Sequence, residues 1–324
     1  MNLKEQISAY AKDQLGIDLI GFCDTRPLKE HRKDLEEFLR RGYQGEMHYL
    51  EKSVTRTSPE ILLPGAKSVV VIGINYYREK PPVPSDQGGV ARYAWGRDYH
   101  KVLLKILKNL AGFLEKNWPE YCHKICVDAA PLSEKALARR AGLGFYGKNT
   151  LLINPDLGSF FLLGEIITTM PIEPDAPRDG TCGTCTRCLD ACPTKALIAP
   201  GQMDARRCLS YLTIESKSPI PEQFHAAMGN QIFGCDICQE VCPYNIRLAK
   251  PSRKKSRLNK VPALSDQKIA GDSLPLKEVL AITGDQQFLQ RFAGSPLMRA
   301  KRSGLTRNAI IAAKNVGRPE KAAH

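Results

Sequence analysis

The stretch TCGTCTRCLDACPT, Thr181 to Thr194, sets four cysteines in the order C-x2-C-x2-C-x3-C-P, and GCDICQEVCPYN, Gly234 to Asn245, repeats only the last three of those positions. The four-cysteine spacing is the bacterial iron-sulfur pattern, in which three thiolates wrap one cluster and the fourth, ahead of the proline, reaches across to another. A second cluster therefore needs one thiolate from outside the two runs. Cys208, in ARRCLSYL between them, is the candidate. Crossing the fourth ligands assigns Cys182, Cys185, Cys188 and Cys242 to one 4Fe-4S cluster and Cys192, Cys208, Cys235 and Cys238 to the other. A C-x2-C pair alone would also suit zinc, but the full spacing, partly repeated, favours clusters. Two adjacent clusters make an electron path between a surface donor and something buried.

The rest of the chain is ordinary in composition. Its 324 residues are 43% hydrophobic and 25% charged, enough for two or three units with at least one sizeable core and unlike a disordered chain. In MNLKEQISAYAKDQLG, Leu3, Ile7, Tyr10 and Leu15 recur at helical spacing among charges, which reads as a surface helix and not a signal peptide. The apolar run SVVVIGI from Ser68 is strand-sized and far too short for a membrane span. A cytoplasmic, monomeric protein without membrane contact is expected. Cys23, Cys122 and Cys126 fall outside the metal spacings and read as small buried hydrophobes.

The formal charge is +13. Eight thiolates and two clusters would lower it by about 4, which still leaves a strongly basic chain. Much of the excess lies late, in KPSRKKSRLNK at 250 to 260 and at Arg291, Arg299, Lys301, Arg302, Arg307, Lys314 and Arg318. A charge run is often only a solvated face, but the two basic regions together favour a polyanionic partner.

Residues 1–172 alternate helix-like and strand-like segments and read as one α/β domain. Helices are expected near 28 to 41 and 101 to 117, and strands at DLIGFCD, KSVVVIGINYY, KICVD and TLLIN. The proline-rich, acidic MPIEPDAPRDGT marks a boundary ahead of a cluster domain at 173–250. Residues 251–324 are basic and mixed, and end in SGLTRNAIIAAKNVG, where Leu305, Ile310, Ile311 and Ala312 suggest a short amphipathic helix.

Two motifs mislead. GLGFYGKN has the G-x-G-x-x-G spacing of Gly142, Gly144 and Gly147, but a helix-like SEKALARRA precedes it where a dinucleotide site needs a strand. These glycines read instead as a helix end that lets the backbone pass close to a bound group. Asp98-Tyr99-His100 begins like a cobalamin-binding D-x-H-x-x-G, yet Leu103 stands where glycine is required, so His100 is not assigned to cobalt.

ARYAWGRDYHKVL (91–103), VDAAPLSEKALARRAGLGFYGKNTLL (127–152), both cysteine runs with Cys208, and SGLTRNAII (303–311) together resemble the epoxyqueuosine reductase family over nearly the whole chain. The resemblance implies an α+β/α/β multidomain protein. It would have an N-terminal nitroreductase-like and reductive-dehalogenase-like cobalamin domain, a ferredoxin-like domain with two 4Fe-4S clusters, and a short C-terminal HEAT-like helical region. It implies reduction of epoxyqueuosine to queuosine at the wobble position of tRNA, with base-off cobalamin that takes no histidine ligand. Electrons would come from an external low-potential donor of ferredoxin or flavodoxin type. The proton donor would be Asp128, and Tyr99 and His100 would line the substrate pocket. Corrinoid contacts would fall on Arg56, Ala91, Asp128, Leu152, Leu163, Ser210 and Asp236. Two other readings compete: a dehalogenase-like corrinoid reductase of small molecules, and a non-catalytic ferredoxin-like carrier fused to a binding module.

Overall fold

The computed structural model describes residues 2–247, 261–265 and 270–316. The near-continuous apolar run SVVVIGIN suits a strand covered on both faces, and Ser68–Asn75 is such a strand, buried along its whole length. It lies inside a four-stranded antiparallel sheet ordered Leu19–Asp24, Ser68–Asn75, Phe161–Thr168, His123–Cys126. Alternation along the strands sorts side chains to two cores. Val70, Ile72 and Ile74 meet Ile7 and the Leu107, Leu110 and Leu114 stripe of the helix Tyr99–Asn117. Val69 and Val71 meet Leu137 and Ala138 of the helix Glu134–Arg140 on the other face. Gly164 permits the first contact, because a Cβ there would stand 2.8 Å from the Leu107 side chain.

A second sheet joins distant parts of the chain. Gln87–Val90 pairs in parallel with Gln231–Phe233 and antiparallel with Ser273–Pro275. Trp95, Phe233, Leu274, Phe292 and Leu305 share one core, so the C-terminal helices Leu276–Ala281, Asp285–Phe292 and Lys301–Asn315 pack directly on residues from both earlier segments. Buried polar groups fix the joints. Asn308 donates to the Thr213 and Ile232 carbonyls at 2.8 Å each. Asn245 accepts from the Ser159 N–H at 2.8 Å. The Arg92 guanidinium reaches Asp236 at 3.0 Å and Glu240 at 2.7 Å.

Several expectations change. The strand in KICVD ends at Cys126, and Asp128 sits beyond it in a turn with φ +41. TLLIN contributes only Leu152–Ile153, paired with Phe145–Tyr146. Cys23 and Cys126 are buried, but Cys122 is exposed. Ile310 is exposed on its helix, while Asn308 and Ala309 take the inner face. Two glycines of GLGFYGKN are required by close packing of the chain on itself: a Cβ at Gly144 would meet the Ile153 carbonyl at 2.4 Å, and at Gly142 that of Ala176 at 2.6 Å.

The C-terminal charges are mostly engaged. Arg307 donates to the carbonyls of Leu212, Ser216 and Ser218, Arg302 pairs with Asp285 at 2.6 Å, and Arg291 pairs with Glu278 at 2.6 Å. Arg307 thereby ties the C-terminal helix to the Leu212–Ser218 segment. The 250–260 run and Arg318 lie outside the described residues. Among the described residues no helix is long and apolar enough to cross a membrane.

Candidate active site

Asp98 caps the helix Tyr99–Asn117, accepting from the His100 N–H at 3.0 Å, and the same carboxylate oxygen meets His100 Nδ1 at 2.6 Å. A short polar side chain at a helix start normally satisfies one backbone donor; here it also orients a ring. The other ring nitrogen, Nε2, lies 2.7 Å from Asp128 Oδ2, and the Tyr99 hydroxyl donates to that same oxygen at 2.7 Å. Tyr99 stacks on His100 with centroids 4.1 Å apart.

Charges follow from these bonds. Burial pulls the Asp128 carboxyl upward, but donors on His100 and Tyr99 outweigh it and hold it below the ordinary carboxylate value. Hydrogen bonds to Asp128 and Asp98 push His100 up to about 9, so at neutral pH the ring is an imidazolium between two carboxylates. Tyr99 is held protonated by burial and by the neighbouring Asp128 charge. The site therefore stores protons on His100 and Tyr99 and presents them to one Asp128 oxygen.

Asp128 lines a cleft of about 900 Å³. Tyr99, His100, Asp128 and Arg56 line it together with Cys208, Ser210 and Glu215. Four expected corrinoid contacts do not line it. Ala91 is buried with its N–H on the Phe233 carbonyl, Leu152 and Leu163 pack in the sheet core, and Asp236 is tied to Arg92. Sequence reading missed Tyr49, Lys52, Tyr93 and Arg299 on the cleft. Arg299 was visible only as one more basic residue; its guanidinium grips Glu215 at 2.7 Å and lies over the Tyr49 ring at 5.8 Å.

Neighbouring cysteines of the two expected quartets influence one another. Burial leads in raising most of these thiols, and neighbouring thiols add to it. Cys188 feels Cys182 and Cys242, and Cys242 feels Cys182 and Cys185. Cys208 feels Cys192, and Cys235 feels Cys208 and Cys192. Cys238 feels Cys235 and Cys208, and also Cys188 of the other set. The first quartet lines its own cavity of about 450 Å³ together with Asn149, Arg187 and Tyr244. Among the described residues no three His, Cys, Asp or Glu side chains are placed to hold a single metal ion. Backbone N–H groups already aim at sulfur, from Lys148 to Cys182 at 3.4 Å and from Ala196 to Cys192 at 3.3 Å, as thiolate ligands need. Cys208, which feels Cys192, also lines the large cleft.

Comparison with known proteins agrees with both halves of this site. Residues 181–245 match the family model described as a 4Fe-4S double cluster binding domain, and residues 56–129 match that of epoxyqueuosine reductase QueG. An epoxyqueuosine reductase of Vibrio cholerae is 39% identical over 319 residues, spanning 97% of this chain and 83% of the relative. A solved epoxyqueuosine reductase with a tRNA-Tyr epoxyqueuosine-modified tRNA stem loop is 36% identical, with a TM-score of 0.85 over 97% of this chain and 81% of that one. The Bacillus subtilis enzyme, solved with its aspartate catalytic loop swung out of the active site, is 36% identical with a TM-score of 0.84, over 97% of this chain and 82% of that one. With a relative this similar over most of both lengths, and a cluster-binding region joined to the matching catalytic segment, the chain belongs to the epoxyqueuosine reductase family.

Proposed function

We propose that this chain reduces epoxyqueuosine in a tRNA anticodon to queuosine, with the large cleft as the place where electrons and protons meet. The observation that carries the reading is that Cys208, from one cysteine quartet, lines the same cleft as Asp128. The epoxide takes up two electrons and two protons, both of its C–O bonds break, a carbon–carbon double bond forms and the oxygen leaves as water. Base-off cobalamin in the cleft would supply the strongly reducing cobalt centre. The residues fit it: the cleft is near the upper end of small-molecule sites, roughly 300–1,000 Å³. Both His100 ring nitrogens are committed to carboxylates, which suits a cofactor with no histidine ligand. Arg56, Asp128 and Ser210 would hold the corrinoid directly. Support is weaker for Ala91, Leu152, Leu163 and Asp236, whose side chains are committed elsewhere.

Opening the epoxide creates an alkoxide, a strong base and poor leaving group, so a positioned acid is required. Asp128 reaches the cleft but is held ionised, so in this reading it relays protons drawn from His100 and Tyr99. Asp98 then steadies the ring as its charge changes. Electrons would pass from an external ferredoxin or flavodoxin type donor to the first quartet, cross where Cys188 and Cys238 influence one another, and arrive beside Cys208. Residues 1–172 would carry the catalytic domain, 173–250 two 4Fe-4S clusters, and 251–324 a short HEAT-like tail. Lys52 at the cleft would meet a phosphate of the anticodon stem loop. We read the 127–133 loop as the counterpart of the loop that swings out in the Bacillus subtilis relative.

The test is anaerobic incubation of cluster- and cobalamin-loaded protein with epoxyqueuosine-containing tRNA and a strong reductant, followed by nucleoside mass spectrometry. Conversion to queuosine is expected. Fully loaded protein that leaves epoxyqueuosine unchanged would overturn the assignment.

A further inference from the structure

The chemistry above uses the Asp128 carboxylate but does not explain what keeps it aimed at the cleft. Asp128 has φ +41, a left-handed conformation that non-glycine residues rarely adopt unless their surroundings impose it. Its backbone N–H donates to Glu134 Oε1 at 2.5 Å. Glu134 opens the helix Glu134–Arg140, whose other side is packed into the sheet core through Ala136, Leu137 and Ala138, so this acceptor is fixed in space. Behind it lies Glu165 in the strand Phe161–Thr168, completely buried, with no hydrogen-bond partner of good geometry for either oxygen. Alternation places Glu165 on the same face as Leu163 and Ile167, toward the helix that carries Glu134. Burial and the adjacent Glu134 raise Glu165 well above the ordinary carboxyl value, so it is uncharged. A buried neutral carboxyl against a second carboxyl can share one proton with it, as close carboxyl pairs do.

We infer that Glu134 is a positioning residue for the reaction: backed by Glu165, it pins the Asp128 loop in its left-handed, cleft-facing form by accepting the Asp128 N–H. Glu134 has no part in carrying the proton to substrate. The inference rests on the reading of Asp128 as the proton relay, but its main test needs no substrate.

Hydrogen–deuterium exchange of the 127–133 peptide in cluster-loaded protein reads the latch directly. Glu134→Ala removes the acceptor and Glu134→Asp withdraws it by one methylene; both should speed exchange at this peptide at least tenfold. Glu134→Gln keeps an accepting oxygen and should retain protection. Single-turnover rates should fall at least tenfold in the Ala and Asp variants and stay within about threefold of wild type in Gln, with tRNA affinity unchanged. If Glu134→Ala does not fold, the Asp and Gln pair still decides. Wild-type exchange in Glu134→Asp would overturn the latch. A Gln variant as slow as Asp, with its loop protected, would show that Glu134 handles a proton and would also overturn it. Absence of turnover in wild type would defeat the functional assignment while leaving the exchange result intact.

Discussion

The cysteine region and the cleft are encoded in opposite ways. Seven of the eight assigned thiolates sit in two short runs whose spacing matches a known ligand geometry, so the chemistry is legible from local sequence. The cleft draws on residues 47–56, 93–100, 128–131, 203–215 and 295–299, and no local spacing unites them. Cys208 is where the two modes of encoding meet, because it is the thiolate proposed to complete a quartet and it lines the cleft.

Removing that junction should have the largest effect. Cys208→Ala is expected to abolish turnover and lower the iron content from about eight per chain to about half, with the other cluster's spectrum retained. Full iron and an unchanged spectrum after anaerobic reconstitution would separate Cys208 from the clusters. Asp128→Asn comes next: nearly isosteric, it should keep iron, corrinoid and fold but slow single turnover by about 10²- to 10⁴-fold. Wild-type rates would remove the carboxylate from the mechanism.

What the sequence revealed divides along the same line. The central strand was readable from SVVVIGIN because a run buried on both faces needs no partner to identify it. The helix Tyr99–Asn117 was expected near 101 to 117, and its buried leucines lie on one face. The second sheet was not, since Gln87–Val90, Gln231–Phe233 and Ser273–Pro275 are short strands whose pairing spans about half the chain. Nor could spacing show that Asp128 and His100 share a hydrogen bond across 28 positions. Charge was the least reliable guide. It pointed to Arg302 and Arg307 as one basic surface, where the fold uses the first in an ion pair and the second to hold carbonyls.

Weaker perturbations sharpen the contrast. His100→Gln should slow single turnover by about 10²-fold or less, since Asp128 remains but loses its charged donor. In wild type the imidazolium is present below about 9 and lost above it, so rates should fall as pH rises through that value. The Gln variant should lose this limb; a variant that keeps it would assign the titration to another group. Arg307→Ala strips the Leu212, Ser216 and Ser218 carbonyls of their donor and should lower stability by about 1–3 kcal/mol, measured by denaturant melts, without altering the salt dependence of tRNA binding. A salt slope flattened by about 0.7–0.9 would instead make Arg307 a phosphate contact. Arg302→Ala, which breaks an ion pair with exposed Asp285, should change stability by about 0–1 kcal/mol in the same melts.

The central claim is that the second cluster opens through Cys208 onto a cleft that holds the corrinoid. Electron paramagnetic resonance of cobalamin-loaded protein, poised so that cobalt and the second cluster are both paramagnetic, tests it most directly. Two centres that share the Cys208 wall of one cleft should broaden or split one another's signals, and removing cobalamin should restore a simple cluster spectrum. Two independent, unbroadened signals in fully loaded protein would place the corrinoid elsewhere and contradict the account.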